Sequence, residues 1–209
     1  TGESASRTEL EGFGVPPEEK FEMWQETTEQ AANMMTMEPC PGYDGEFFEM
    51  PSRNGLPKPK QDPHPPLWVA CSSREMIEVA ARHGMGALCF AFTDPGEAEQ
   101  WVDTYYETFK EECVPIGHSV NPNVAMVTGF SCHEDGEVAR ERGEEGFAFF
   151  RYALAHYAVH EFGAHEPGND SVWEQFQAAG GVDFFDDDDG DSAIATPEHV
   201  REHLRRFEE

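Results

Sequence analysis

Leu67-Trp68-Val69-Ala70-Cys71-Ser72-Ser73-Arg74-Glu75-Met76-Ile77 is the stretch from which the rest of the chain can be read. Leu67–Ala70 is a short apolar run of a length that suits a strand buried on both faces. Ser72 and Ser73 are hydroxyl residues of the kind that cap a helix N-terminus. The helix they open runs to about His83, with Met76, Ile77, Val79 and Ala80 facing inward, and Gly84–Gly86 breaks it. A second apolar run, Ala87–Phe92, follows at once. Thr93-Asp94-Pro95 then opens a helix to about Cys113, with Trp101, Tyr105 and Phe109 on one face. Asn123–Phe130 reads as a third strand and Asp135–Tyr157 as a long helix. This alternation predicts parallel βαβ units and an α/β fold.

Upstream, Thr1–Val15 is rich in Gly and Ser and reads as a loop. Pro16-Pro17-Glu18-Glu19 starts a helix well, because Pro is tolerated in a first turn and carboxylates favour the N-terminal dipole. Phe21, Trp24, Ala31, Met34 and Met35 carry its apolar stripe to about Met37. Glu38–Pro66 is crowded with Pro and Gly, and Gly45–Met50 within it suits a short strand or hairpin arm. Downstream, Ala158–Ala195 is irregular. Thr196–Phe207 reads as a helix capped by Thr196 with Pro197 in its first position. A closed β/α barrel needs eight strands and typically ~250 residues, so the strands found here are too few. Both ends of the 209-residue chain read as interior points of a longer polypeptide.

Hydrophobic residues make up 38% of the chain and aromatics 12%, enough for a packed core. No run of eighteen apolar residues is present to form a spanning helix. The formal charge of −28 comes from 42 acidic and 14 basic residues. Such a surface repels nucleic acid and anionic membranes, which are bound through Lys and Arg. It suits a protein kept hydrated in high salt, so a halophilic source is expected. Any anionic ligand must be held by a local site working against the global field. Cys40, Cys71, Cys89, Cys113 and Cys132 are odd in number with no C-x-x-C pair, which points to free thiols in a reducing cytoplasm.

The turn Cys71-Ser72-Ser73-Arg74 is the first place where chemistry could sit. A strand ending in hydroxyl residues that open a helix aims backbone N–H groups and two hydroxyls at one spot, an anion site by geometry and dipole. Arg74 can add a charge. A plain N-cap with a solvated arginine is the bland alternative. The opening loop with Arg7 is the second place, unremarkable taken alone.

Together these segments carry a resemblance. T-E-L-E-G-F-G-V-P-P-E-E (Thr8–Glu19), Met23-Trp24, G-E-F-F-E-M-P (Gly45–Pro51) and L-P-K-P-K-Q-D-P-H-P-P-L-W-V-A-C-S-S (Leu56–Ser73) resemble the luciferase-like flavin monooxygenases. So does A-T-P-E-H-V-R-E-H-L-R-R-F-E-E (Ala195–Glu209). The likeness is strongest at residues 8–92 and 196–209 and weakest at 158–195. It implies a partial (β/α)8 TIM barrel in a single domain over residues 1–209. Leu67–Ala70 would be strand five, Ala87–Phe92 strand six and Asn123–Phe130 strand seven, with strands one to four and eight outside the chain.

The resemblance also implies a site and a reaction. Flavin phosphate would be held by the Cys71 N–H, Ser72 and Ser73, with Arg74 and Arg7 beside them and the ring system near Phe90–Thr93. Glu3 close to a phosphate departs from that picture. The activity implied is oxygenation of a small organic substrate by O₂ with reduced FMN, which a partner flavin reductase supplies. A homodimer is implied for the full-length form. A catalytic acid or base is not assigned, since the family's proton donors would lie in the missing half. A deazaflavin (F420) dependent oxidoreductase of the same barrel family is the nearest alternative.

Three further features stand apart. His156 and His160 share a helix face with Glu161 and His165 nearby, but His160–His165 is one residue too long for H-E-x-x-H, and no metal is assigned. Asp183–Asp191 is rich in carboxylates without EF-hand spacing, so a solvated loop is the better reading. A non-enzymatic acidic scaffold or Ca²⁺-binding module is the alternative of another class. By resemblance to the luciferases, 158–195 would be a mobile lid over the active site.

Overall fold

The computed structural model describes residues 1–89, 95–157, 171–185 and 192–207. In chain order its elements are α1 (Arg7–Phe13), α2 (Lys20–Thr36), β1 (Tyr43–Asp44), β2 (Glu49–Met50), β3 (Trp68–Cys71), α3 (Arg74–Arg82), β4 (Gly86–Cys89) and α4 (Pro95–Glu112). Then follow β5 (Val124–Met126), β6 (Phe130–Cys132), α5 (Gly136–Tyr157), α6 (Val172–Ala178), a 3₁₀ turn (Gly181–Phe184), β7 (Ala193–Ala195) and α7 (Pro197–Arg205). The chain divides into two compact units. The first comprises Thr1–Glu3, Glu18–Phe90 and Gln100–Met126; the second comprises Ser4–Pro17, Ala91–Glu99 and Val127–Glu209. Among the described residues no helix is long and apolar enough to cross a membrane.

In the first unit β3, β4 and β5 form a parallel sheet in that order, with Cys71 opposite Cys89 and Leu88 opposite Ala125. Parallel neighbours need a crossover, and α3 and α4 supply the chain between successive strands. Val69, Cys71, Ala87 and Cys89 are fully buried. Ser73 has extended backbone and its hydroxyl accepts from the Met76 N–H, which starts α3. Met76, Ile77, Ala80 and Ala81 then bury one face of that helix, and Ile77 alone contributes on the order of 2 kcal/mol by leaving water. Gly84, at φ 67°, ends the turn after α3. A Cβ there would lie 2.9 Å from Val120, so both backbone and space favour glycine. On the other side of β3, the Thr1 backbone nitrogen donates to the Trp68 carbonyl at 2.8 Å, and the Ala70 N–H donates to the Thr1 carbonyl at 2.9 Å.

Polar side chains consolidate the rest of this unit. Lys58 Nζ donates to the Met34 and Met37 carbonyls at 2.9 and 2.7 Å, a cation at the C-terminus of α2. Glu26 accepts from the N–H groups of Glu46 and Phe47, holding the turn between β1 and β2. His64 is buried, and its Nε2 accepts from the His118 N–H at 2.9 Å. Its Nδ1 must therefore carry the proton that it shares with the Pro65 carbonyl at 2.7 Å.

In the second unit β6 and β7 pair in parallel, Phe130 opposite Ala193 and Cys132 opposite Ala195. Helix α5 lies close on them: a Cβ at Gly143 would come 2.6 Å from Ser131 Cβ and 2.9 Å from Ile194. Phe149 packs against Trp173 and Phe176, and Tyr152 against Phe176 and Phe184, which fastens α6 and the 3₁₀ turn to α5. The Arg151 guanidinium stands 4.1 Å over the Phe185 ring. Ser6 caps α1 by accepting from the Glu9 N–H, and Leu10 is its buried residue.

The α/β character and the strand–helix order agree with the sequence reading, with three differences. Residues 7–13 are helical where a loop is expected, because one cap and one buried leucine suffice for a two-turn helix with no visible periodicity. Of the expected strand Asn123–Phe130 only Val124–Met126 is extended as β5, and Phe130 opens β6, which belongs to the other unit. Between them Gly129 lies against the Phe147 ring, where a Cβ would be 2.6 Å from the ring carbon. Residues expected to be irregular contain α6, the 3₁₀ turn and β7. The described residues form no closed barrel. The ring-system segment 90–94, the histidines at 160 and 165, and most of the acidic run lie outside the described residues.

Candidate functional site

The turn after β3 takes its shape from two adjacent serines that do different work. Ser73 spends its acceptor on the Met76 N–H and so fixes the start of α3. Ser72 is exposed, with its hydroxyl outside that cap. The N–H groups of Arg74 and Glu75 open the helix and have no intrahelical acceptor. Arg74 is exposed too, and its Nη2 donates to Gln100 Oε1 at 2.7 Å. The arrangement presents hydroxyl, backbone N–H and guanidinium donors at the C-terminal end of a parallel strand, chemistry suited to phosphate or another oxyanion.

Cys71 behaves otherwise. Its side chain is fully buried beneath the turn, with Sγ 3.4 Å from the Met76 carbonyl and 3.5 Å from that of Val69. Its interaction with the Cys89 thiol, then burial, holds the Cys71 thiol far above the ordinary range, so it stays protonated and unreactive. Only its backbone can serve a ligand.

Arg7 belongs to the second unit, on α1, and pairs with Glu11 one turn along at 2.7 Å. It lines a small cleft of about 360 Å³ with Leu10, Glu11, Val15 and Pro17. Thus the structure gathers Cys71, Ser72, Ser73 and Arg74 in one turn, and gives Arg7 a carboxylate partner of its own. Glu3, awkward near a phosphate, is held by Lys20 at 3.4 Å, with side chains 19% and 16% exposed. Its charge is therefore largely matched locally. Gln100 was not legible from sequence, because a glutamine on an amphipathic helix gives no signal of what it faces. Among the described residues no group of three or more His, Cys, Asp or Glu is placed to hold a metal ion.

Parallel strand–helix units with this turn at a strand's C-terminal end define an α/β protein of the kind that places ligands beyond its strand ends. The pattern of the luciferase-like monooxygenases matches residues 1–209, and the chain belongs to that family. It is similar to the oxygenase component of the flavin-dependent trigonelline monooxygenase of Acinetobacter baylyi, 24% identical over 110 residues, covering 53% of this chain and 30% of that protein. Its structure is similar to that of monooxygenase RslO1 from Streptomyces bottropensis, with TM-score 0.65 and 22% identity, covering 98% of this chain and 55% of that one. It is also similar to an F420-dependent secondary alcohol dehydrogenase in complex with an F420-acetone adduct, with TM-score 0.67 and 14% identity, covering 99% and 59% respectively. At these identities the structural likeness bears on the fold. The chain spans under a third of the curated relative and a little over half of each solved chain.

Proposed function

We propose that the chain is the phosphate-holding part of an FMN-dependent monooxygenase, in which reduced FMN from a partner reductase and O₂ serve to oxygenate a small organic substrate. In this reading β3, β4 and the stretch Asn123–Phe130 that holds β5 are strands five to seven of a (β/α)8 barrel. The observation that carries it is the turn itself: an exposed Ser72 hydroxyl, unpartnered helix-opening N–H groups and Arg74 directly after β3. These groups fit a phosphate dianion in donor type and charge. When bound, reduced flavin supplies the electron pair that activates O₂. The chain's own residues would bind and orient: Ser72 and the Arg74 and Glu75 N–H groups donate to phosphate oxygens, and Arg74 offsets their charge. Arg7 is the further phosphate partner that the family resemblance suggests. The name of the Acinetobacter relative, an oxygenase component, favours separate delivery of reduced flavin. A cytoplasmic setting is supported by five cysteines that are all free thiols.

The likeness to an F420-dependent dehydrogenase favours a second reading, hydride transfer with F420 and no oxygen chemistry. Anaerobic titration with reduced FMN and with reduced F420, followed by O₂ admission, separates the two. Tight FMN binding with O₂ consumed on admission supports the monooxygenase. Tight F420 binding without O₂ uptake supports the alternative, and affinity for neither removes both.

A further inference from the structure

We infer that Gln100 is a positioning residue for the phosphate end of the cofactor, holding the Arg74 guanidinium beside the Ser72–Ser73 turn without cancelling its charge. The inference rests on the phosphate reading of that turn and extends it to a residue on a different helix. Arg74 opens α3, Gln100 lies in α4, and they meet through Nη2 and Oε1 at 2.7 Å across 26 positions of sequence. An exposed arginine left to itself samples many rotamers, and ordering it on a ligand costs entropy. A tether made beforehand removes part of that cost.

The nature of the tether matters as much as its place. In a chain with 42 acidic and 14 basic residues, carboxylates are abundant partners for an arginine, and three arginines take them. Arg7 pairs with Glu11, Arg82 with Glu78 and Glu112, and Arg140 with Glu137. Arg74 instead meets a neutral carboxamide oxygen, and among the described residues it makes no ion pair, even with its neighbour Glu75. A guanidinium has five N–H donors, and Gln100 takes one. The rest of the fork, with its full positive charge, stays available to an oxyanion. Against a net charge of −28, a glutamate at 100 would offset the positive charge that Arg74 brings to the turn.

The test compares FMN with riboflavin, which differ by the phosphate alone, on the full chain and its Gln100→Glu, Gln100→Ala and Arg74→Ala variants. The quantity read is the ratio of the two dissociation constants. Wild type should prefer FMN, and Gln100→Glu should cut that preference by about tenfold, the scale of one charge-assisted hydrogen bond. Riboflavin affinity should not change. Gln100→Ala should give a smaller loss, and Gln100→Glu should add little to Arg74→Ala. If Gln100→Glu keeps the wild-type ratio, or weakens both ligands equally, Gln100 is structural and the inference fails while the turn keeps its reading. If wild type shows no preference for FMN, or Arg74→Ala leaves the preference intact, the reading of the turn fails and the inference with it.

Discussion

The Tyr105 hydroxyl donates to the Met85 carbonyl at 2.7 Å, just before β4 begins. The Asn121 carbonyl stands 3.3 Å from the same hydroxyl, and the Asn121 amide donates to the Leu67 carbonyl at 3.0 Å. Tyr105 is fully buried, and that burial holds its hydroxyl above the ordinary phenol range, so it remains a donor. The N-terminal ends of β3 and β4 are thus tied together by side chains, while their opposite ends carry the candidate site.

Tyr105→Phe should therefore destabilise the fold by about 1–3 kcal/mol, the cost of leaving a buried carbonyl unpaired. The shift would be read as a lower urea midpoint at unchanged slope. Flavin affinity measured below the transition should stay at the wild-type value. A variant with full stability would show that water replaces the hydroxyl there.

Ser72 and Ser73 should separate on substitution. Ser73→Ala removes the cap of α3 and should cost about 1 kcal/mol of stability. Ser72→Ala should stay within about 0.5 kcal/mol of wild type and instead weaken FMN relative to riboflavin. Thermal melts and paired ligand titrations on the two variants check this; the reverse pattern would exchange the roles given to the two hydroxyls.

His83 gives a pH dependence with a definite sign. Burial, then the positive charge of Arg82, holds its imidazole below the usual histidine range. As pH falls, the unfolded chain takes up this proton first, near the ordinary value of about 6.5. Its contribution to stability is then whole above that value and is lost progressively towards the lower folded value. In His83→Gln, urea midpoints between about pH 7 and pH 5 should fall less steeply than in wild type. Parallel slopes would mean that the imidazole titrates alike in both states.

Thiol labelling should follow position in the fold. Cys132 is exposed, Cys113 is intermediate with a thiol pushed up by burial, and Cys40, Cys71 and Cys89 are buried. A disulfide reagent applied to the native chain should modify Cys132 quickly and Cys113 slowly. The other three should react only after denaturant is added. Rapid native labelling at Cys71 or Cys89 would place β3 or β4 nearer to solvent than the structure does.

What could be read in the sequence was what local pattern controls. The apolar run before Ser72 and the Met76–Ala80 stripe fixed β3 and α3 within a residue or two, because burial and capping act over short distances. Helix α1 escaped because its one buried residue, Leu10, makes no pattern. Strand β7 escaped because Ala193-Ile194-Ala195 becomes a strand only by pairing with Phe130–Cys132, some sixty residues earlier. In the candidate site the serines and Arg74 were legible from their succession after a strand. Gln100 was not, since its role depends on a contact between two helices.

The pairing of Thr1 with Trp68 and Ala70 has a consequence for colloidal behaviour. Backbone groups of β3 that could recruit a strand from a neighbouring molecule are occupied by residues of the same chain. Removing residues 1–3 would bare those groups beside Val69 and leave β3 an open edge that can act as a template. The shortened chain should then gain scattering mass with concentration, despite the repulsion of 42 acidic residues. Thr1 thus shields backbone groups of β3 that surface charge alone does not reach.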